Sequence, residues 1–411
     1  MNIFKSNREK LYKLLPEDSF TISFSGTKKK KIGDEFYPFT PNRNFYYLTG
    51  IDEPDIVFIC VKHDGNIIER LFIKRYDEVK AKWTGETISP EKAKEISDIE
   101  DILYVDELYE ELSNLIFNNR LHYAYLDLEN RDFTMSDNEI MFAEKIKGNY
   151  PYLEIKNLHF ELDSVRQIKE KYEIQRIKKA IEITDMGLKA VMKSLKNCEY
   201  EYEAEAEFDY VLKKNGIKDF AFKTIAASGE NATVLHYSEN NSKINKGDLV
   251  LFDLGAQFEY YNADITRTYP ANGIFTDKQK MVYNIVLEGQ QLVIDSIKPG
   301  KPFKLLNEQL KKYYAGELKK IGLIQTEEDV SKYYYHGVSH MLGLETHDVG
   351  RHNEGDLKPG YVMTVEPGLY IPEWKIGIRI EDDVYVTQNG CEVLSKDIIK
   401  TCDEIEEFMN A

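Results

Sequence analysis

Lys246-Gly247-Asp248-Leu249-Val250-Leu251-Phe252-Asp253-Leu254-Gly255 and Lys358-Pro359-Gly360-Tyr361-Val362-Met363-Thr364-Val365-Glu366-Pro367-Gly368 read as one pattern written twice in a chain of 411 residues. Each copy leaves a Lys-containing turn through Gly and enters an apolar, β-branched-rich segment that reads as a strand. Each meets an acid six residues past that Gly and has another Gly two residues after the acid. Each then continues into a second segment with a further acid, Asp264 in residues 262–268 and Glu381 in residues 378–384. The pattern predicts a duplicated strand pair, each copy carrying two carboxylates.

A carboxylate buried on an apolar strand is costly unless something compensates its charge. Convergence of Asp253, Asp264, Glu366 and Glu381 therefore calls for a strong positive charge beside them, and a divalent cation is the simplest supplier. Two other arrangements remain open from the residues alone. The acids could face solvent on separate edges, or pair with Arg267 and Arg379.

The rest of the chain sets the frame. Its length and its 42% hydrophobic content suit two globular domains, with a boundary near Glu161-Leu162-Asp163-Ser164 that separates residues 1–160 from 161–411. A formal charge of −17 argues against a nucleic-acid partner. The one basic block, Lys28-Lys29-Lys30-Lys31, reads as a solvated loop. No window is long and uncharged enough to cross a bilayer, and the first residues lack a secretory apolar region. Cys60, Cys198, Cys391 and Cys402 are scattered without a CxxC pair, as expected of reduced cysteines in a cytoplasmic protein.

Within residues 1–160, segments 56–61 and 67–73 read as strands joined through His63-Asp64-Gly65-Asn66. Ser89-Pro90-Glu91 opens a helix, Asp106 begins another with Leu108, Leu112 and Leu115 on one face, and residues 123–126 read as a strand. This mixed α/β region shows no catalytic cluster. Past the boundary, Ile174, Ile177, Ile181, Thr184, Leu188, Val191 and Leu195 form one stripe of a long helix. Helical patterns recur at 201–214, 277–297 and 303–321, so the C-terminal half alternates helices with strand pairs and the fold class is α+β.

The chemistry lies with the histidines. His336, His340 and His347 fall within twelve residues, in His336-Gly337-Val338-Ser339-His340-Met341-Leu342-Gly343-Leu344-Glu345-Thr346-His347-Asp348-Val349-Gly350. Interspersed glycines allow backbone to come close to a ligand, which favours a site. His236, in Ser228-Gly229-Glu230-Asn231-Ala232-Thr233-Val234-Leu235-His236-Tyr237, stands alone.

Taken together, these segments closely resemble the proline-specific metallopeptidases of the pita-bread fold. The resemblance rests on Ser228–Tyr237, the pair Asp253 and Asp264, His336–His340 with His347–Gly350, Thr364–Tyr370 and Arg379–Asp383. Within that group the chain looks most like the Xaa-Pro aminopeptidases (aminopeptidase P), with prolidases, which act on Xaa-Pro dipeptides, as the alternative. A looser likeness to the N-terminal domain of these enzymes runs through Tyr37–Phe39, Asn44–Gly50 and Glu53-Pro54. The resemblance implies a pseudo-twofold catalytic domain and metal-dependent hydrolysis of the bond between an N-terminal residue and proline.

Carried onto this sequence, the resemblance makes Asp253, Asp264, His340, Glu366 and Glu381 ligands of two divalent metal ions. Asp264 and Glu381 would bridge, Asp253 would complete one site, and His340 with Glu366 the other. Four carboxylates and an imidazole without thiolate suit Mn²⁺, with Co²⁺, Fe²⁺ or Zn²⁺ as alternatives. Glu366 would act as general base toward a water held between the ions. His236, His336 and His347 would line the proline pocket, with His347 nearest the reacting carbonyl. Arg379 would steady the bridging carboxylate, Tyr370 would border the pocket, and Trp83 resembles an element that reaches the pocket of a neighbouring subunit in a homodimer. Departures from the family pattern are Glu86 after Trp83-Thr84-Gly85, Phe222 where a tyrosine is common, and a short stretch from Asp348 to Lys358. Non-catalytic relatives lose ligands, whereas here all the expected types are present.

Overall fold

The computed structural model of the chain describes residues 2–129, 138–350 and 355–411. The chain divides into two compact units, Met1–Arg166 and Gln167–Ala411. The short stretch from Asp348 to Lys358 lies partly outside the described residues.

In the first unit the expected hairpin is present. Strands Val57–His63 and Asn66–Ile73 pair antiparallel with His63 opposite Asn66. Asp64 and Gly65 both take positive φ, 55° and 74°, the conformation that an Asp-Gly hairpin turn needs. These strands sit inside a six-stranded mixed sheet that also holds Ser19–Phe24, Asp101–Tyr104, Tyr123–Leu126 and Glu154–Asn157. Ser89 caps the helix Pro90–Ser97 by accepting from the Lys92 amide. Leu108, Leu112 and Leu115 share a buried face of Leu108–Asn118 and pack with Phe20, Ile22 and Leu126 of the sheet. That helix begins two residues later than Asp106, because Val105–Glu107 forms a 3-10 turn ahead of it.

The second unit repeats one plan, two packed helices followed by antiparallel strands. Lys171–Ser194 and Glu201–Lys214 precede Ile225–Ser228, Leu249–Leu254 and Ile265–Pro270. Asp277–Ser296 and Lys304–Lys320 precede Val362–Val365 and Asp382–Val386. The predicted stripe is buried from Ile177 to Leu195, with Ile174 half-buried at its start. Its one polar member, Thr184, accepts from the Ala256 amide at 2.9 Å and so satisfies a donor just past the strand that carries Asp253.

Register then brings the acids together. Leu249–Leu254 runs antiparallel to Ile265–Pro270 with Asp253 opposite Thr266. In the second copy Val365 lies opposite Asp382. Residues 338–342 run beside Val362–Val365: the Glu366 amide donates to Val338 O at 2.9 Å and the Thr364 amide to His340 O at 2.9 Å. The halves join where the Glu381 amide donates to Thr266 O at 3.0 Å.

The Gly that follows each acid has the same physical origin. A Cβ on Gly255 would sit 1.9 Å from Ala263 O, and one on Gly368 would sit 3.0 Å from Ile378 O and 2.5 Å from the Tyr370 hydroxyl. In both copies the returning segment that delivers the second acid or its neighbours passes too close for a side chain. Gly255→Ala is therefore expected to destabilise the protein by about 3 kcal/mol or more, as overpacking against fixed backbone does. Denaturant midpoints of the two proteins check this.

Candidate active site

Asp253, Asp264, His340, Glu366 and Glu381 line one cavity of about 610 Å³, together with His236, His336, His347 and Arg379. Ligand atoms of Asp264, His340 and Glu381 lie within 4.8 Å of one another. His340 Nε2 is 3.4 Å from Asp264 Oδ2 and 3.6 Å from Glu366 Oε1, longer than good hydrogen bonds. The other ring nitrogen, Nδ1, donates to Met341 O at 3.0 Å. That bond fixes the tautomer and turns the Nε2 lone pair toward the acids.

Charge in this cavity is out of balance. Burial, reinforced by Asp253, Asp383 and Glu366, pushes Asp264 well above the usual carboxylate range. Burial, then Asp264, Glu366 and Asp253, does the same to Glu381. Glu366 is raised by burial and by Asp253, against the opposing pull of His340 and Arg379. Asp253 Oδ1 is buried without a hydrogen-bond partner, while its Oδ2 accepts from Arg379 Nη2 at 2.6 Å. Convergent carboxylates, an orphaned oxygen and an imidazole with its lone pair facing them form a donor set that fits divalent cations.

Arg379 is nearly fully buried, and its salt bridge goes to Asp253 rather than to Glu381, where the sequence pattern placed it. It reaches Glu381 through Thr266, whose hydroxyl accepts from Arg379 Nε at 3.0 Å and donates to Glu381 Oε2 at 2.6 Å. Arg379 Nη1 donates to the Tyr370 hydroxyl at 3.0 Å, and that hydroxyl donates to His336 Nε2 at 2.8 Å. His336 Nδ1 donates to Gly337 O at 2.7 Å. Burial, with the Arg379 charge behind it, lowers His336 to about 3, so the ring is neutral. Burial raises Tyr370 to about 12.

The remaining expected residues are spread more widely. His347 stacks edge-on to His340 with ring centroids 4.4 Å apart, and His236 and His347 are the exposed imidazoles of the lining. Phe222 lines the cavity as well. Tyr370 is fully buried, backing His336 and Arg379. Trp83 closes the short helix Glu78–Thr84 of the first unit and is 85% exposed.

Behind the acids lies a polar layer of which sequence reasoning singled out Arg267 alone. Gln290, fully buried on Asp277–Ser296, donates to both Val365 O and Ile380 O at 3.1 Å, the carbonyls just before Glu366 and Glu381. Arg267 donates to Glu381 O and pairs with Asp382 at 2.7 Å, and Lys400 pairs with the other Asp382 oxygen at 2.7 Å. Thr266 could have been found from spacing, since it lies two residues from Asp264 and so on the same face of an extended segment. Gln290 offered no such signal, being one amide in an otherwise ordinary helical stripe.

The fold and this donor set define the class, a metal-dependent hydrolase whose site is assembled from the two halves of a duplicated unit. Residues 175–388 match the model of metallopeptidase family M24, and residues 4–123 match that of the aminopeptidase P N-terminal domain. The chain is similar to the Xaa-Pro aminopeptidase of Haemophilus influenzae, 30% identical over 99% of this chain and 97% of the relative. Among solved structures it is similar to aminopeptidase P from Escherichia coli with the inhibitor Pro-Leu, with a TM-score of 0.91 and 31% identity over 99% of this chain and 98% of that one. It is also similar to a Bacillus anthracis structure provisionally described as aminopeptidase P, with a TM-score of 0.97 and 50% identity over 99% and 98% of the two chains. The chain belongs to metallopeptidase family M24 and carries the N-terminal domain of the aminopeptidase P type.

Asp382 gives a stability test of the layer behind the site. Burial alone would raise its carboxyl, but Arg267 and Lys400 hold it down at about 2. Its folded value lies below the unfolded one near ~3.9, so its contribution is fully present above that pH and is lost as pH falls through about 2. Asp382→Asn should cost about 3–5 kcal/mol at neutral pH by leaving Arg267 short of its buried partner. The difference from wild type should narrow as pH falls below about 4, read from urea unfolding across that range.

Proposed function

We propose that this chain hydrolyses the bond between an N-terminal residue and a following proline, as a metal-dependent Xaa-Pro aminopeptidase. The observation that carries this is the convergence of Asp253, Asp264, His340, Glu366 and Glu381 on one cavity, with Asp253 Oδ1 left without a protein partner. We assign Asp264 and Glu381 to two cations jointly, Asp253 to one, and His340 with Glu366 to the other. Two divalent cations, when bound, supply an acidified water and a Lewis acid for the scissile carbonyl.

The chain's own groups do the rest. Glu366 accepts the proton of the attacking water and returns it to the departing prolyl nitrogen. Asp253, held through Oδ2 by Arg379, receives the substrate's free α-amino group, which restricts cleavage to chain ends. His347 donates a hydrogen bond to the oxyanion as the carbonyl becomes tetrahedral. His236 and His336 flank the proline ring. With both nitrogens of His336 engaged, that ring offers carbon rather than a hydrogen-bonding group, which suits an imide-linked residue without an N–H. Tyr370 holds His336 in place from behind.

The finer parts of the proposal have separate supports. Mn²⁺ as the resident metal follows from an oxygen-dominated donor set. A cytoplasmic setting agrees with four unpaired cysteines. Among the described residues no helix is long and apolar enough to cross a membrane. A homodimer is supported by exposed apolar side chains on the first unit, including Ile32, Val79 and Trp83, and Trp83 is the residue we assign to a neighbouring subunit's pocket. We place the aminopeptidase P-like domain in residues 1–160 and the catalytic domain in residues 161–411, close to the division of the two compact units after Arg166.

Chelator-stripped protein should release alanine from Ala-Pro-Ala only after Mn²⁺ is restored. Cleavage confined to the Ala-Pro dipeptide would make it a prolidase, and cleavage of neither substrate contradicts the proposal. Asp264→Ala and Glu381→Ala should lose metal and activity together. Thr266→Val, which strips Glu381 Oε2 and Arg379 Nε of their shared hydroxyl, should weaken metal affinity roughly 10–100-fold, measured by competition with a chromogenic chelator.

A further inference from the structure

The Ser228–Tyr237 segment contains more polar residues than the pocket uses. Of this segment Leu235 and His236 line the cavity, as does the following Ser238, so Ser228, Asn231 and Tyr237 need another explanation. All three point to one buried carboxylate, that of Glu201. Its Oε1 accepts from the Ser228 amide at 2.7 Å, the Ser228 hydroxyl at 2.7 Å and Asn231 Nδ2 at 2.9 Å. Its Oε2 accepts from the Tyr237 hydroxyl at 2.8 Å and the Ser242 amide at 2.9 Å.

Glu201 is fully buried and is the first residue of the helix Glu201–Lys214. No cation is among these donors, so the charge is carried by neutral N–H and O–H groups and by the helix N-terminus. The donors flank His236 on both sides, and Leu235 and Tyr237 pack against Ile225, Ala227, Leu251 and Tyr370. The imidazole of His236 makes no hydrogen bond or ring contact among the described residues. Its place in the cavity is therefore inherited from the backbone that Glu201 gathers.

We propose that Glu201 is a positioning residue for His236, acting through Ser228, Asn231, Tyr237 and Ser242 to set where that imidazole enters the proline pocket. The inference rests on the reading of His236 as a pocket residue. Glutamine in place of Glu201 keeps the shape but turns an amide N–H₂ toward groups that are themselves donors, so at least one backbone N–H loses its acceptor.

The test is a double-mutant cycle on the Mn²⁺-loaded, full-length enzyme with Ala-Pro-Ala as substrate. Glu201→Gln should lower kcat/KM roughly ten-fold with metal content unchanged, and Glu201→Gln in a His236→Ala background should cost nothing further. Losses that multiply in the double variant overturn the proposal, as does a wild-type rate for Glu201→Gln. Should Glu201→Gln not fold, Tyr237→Phe removes a single donor while keeping the ring. It should give a smaller loss that vanishes in the His236→Ala background, and persistence of that loss there overturns the proposal. A wild-type rate for His236→Ala overturns it through its premise. Failure of the proposed activity itself would show differently, as no cleavage by the unmodified enzyme.

Discussion

Repulsion between buried carboxylates is the constraint around which the second unit is built. Asp253, Asp264, Glu366 and Glu381 share a cavity with one buried cation, Arg379, which is committed to Asp253, while Lys223 of the lining is exposed. Burial and mutual repulsion raise Asp264 and Glu381 well above the ordinary range. A fold does not hold such a group together without a reason, because desolvating like charges costs more than any local hydrogen bond returns. Divalent cations would reverse the sign of that interaction, so the cluster that burdens the bare protein would become a stabilising contact of a loaded one.

The scaffold behind the cavity is consistent with this tension. Gln290 ties the backbone before Glu366 to the backbone before Glu381, and Arg267 locks the Glu381 carbonyl while paired with Asp382. Thr266 passes a hydrogen bond from Arg379 to Glu381. The Arg267 and Thr266 contacts join the two halves of the duplication, and Gln290 ties together the two acid-bearing segments of the second half, so the acids cannot relax apart without breaking this layer. The same logic extends to the rim, where one buried carboxylate, Glu201, collects the backbone on either side of His236.

Much of this was legible in the sequence, because it is written in spacing. The strand pairs were visible from two acids at equal distances from paired glycines, and those glycines are now explained by the carbonyls of Ala263 and Ile378 that pass beside them. The long helical stripe, the Asp64-Gly65 hairpin and the Ser89 cap follow from local rules, so they too could be read directly. What could not be read is whatever depends on long-range partners. Arg379 alternates with Glu381 along the chain, yet its guanidinium reaches across to Asp253, 126 positions away. Glu201 sits in a run of acids with Glu199, Glu203, Glu205 and Glu207 that reads as solvated charge, and only the fold shows that this one points inward. Tyr370 reads as a pocket residue and lies one layer behind, as the partner that orients His336.

Anomalous diffraction from crystals soaked in Mn²⁺ would reveal whether these five side chains hold cations. Two neighbouring peaks are expected in the cavity, both touching Asp264 and Glu381, with Asp253 on one and His340 with Glu366 on the other. A cavity that stays free of anomalous density at saturating Mn²⁺, or peaks that fall away from these five side chains, would contradict that assignment.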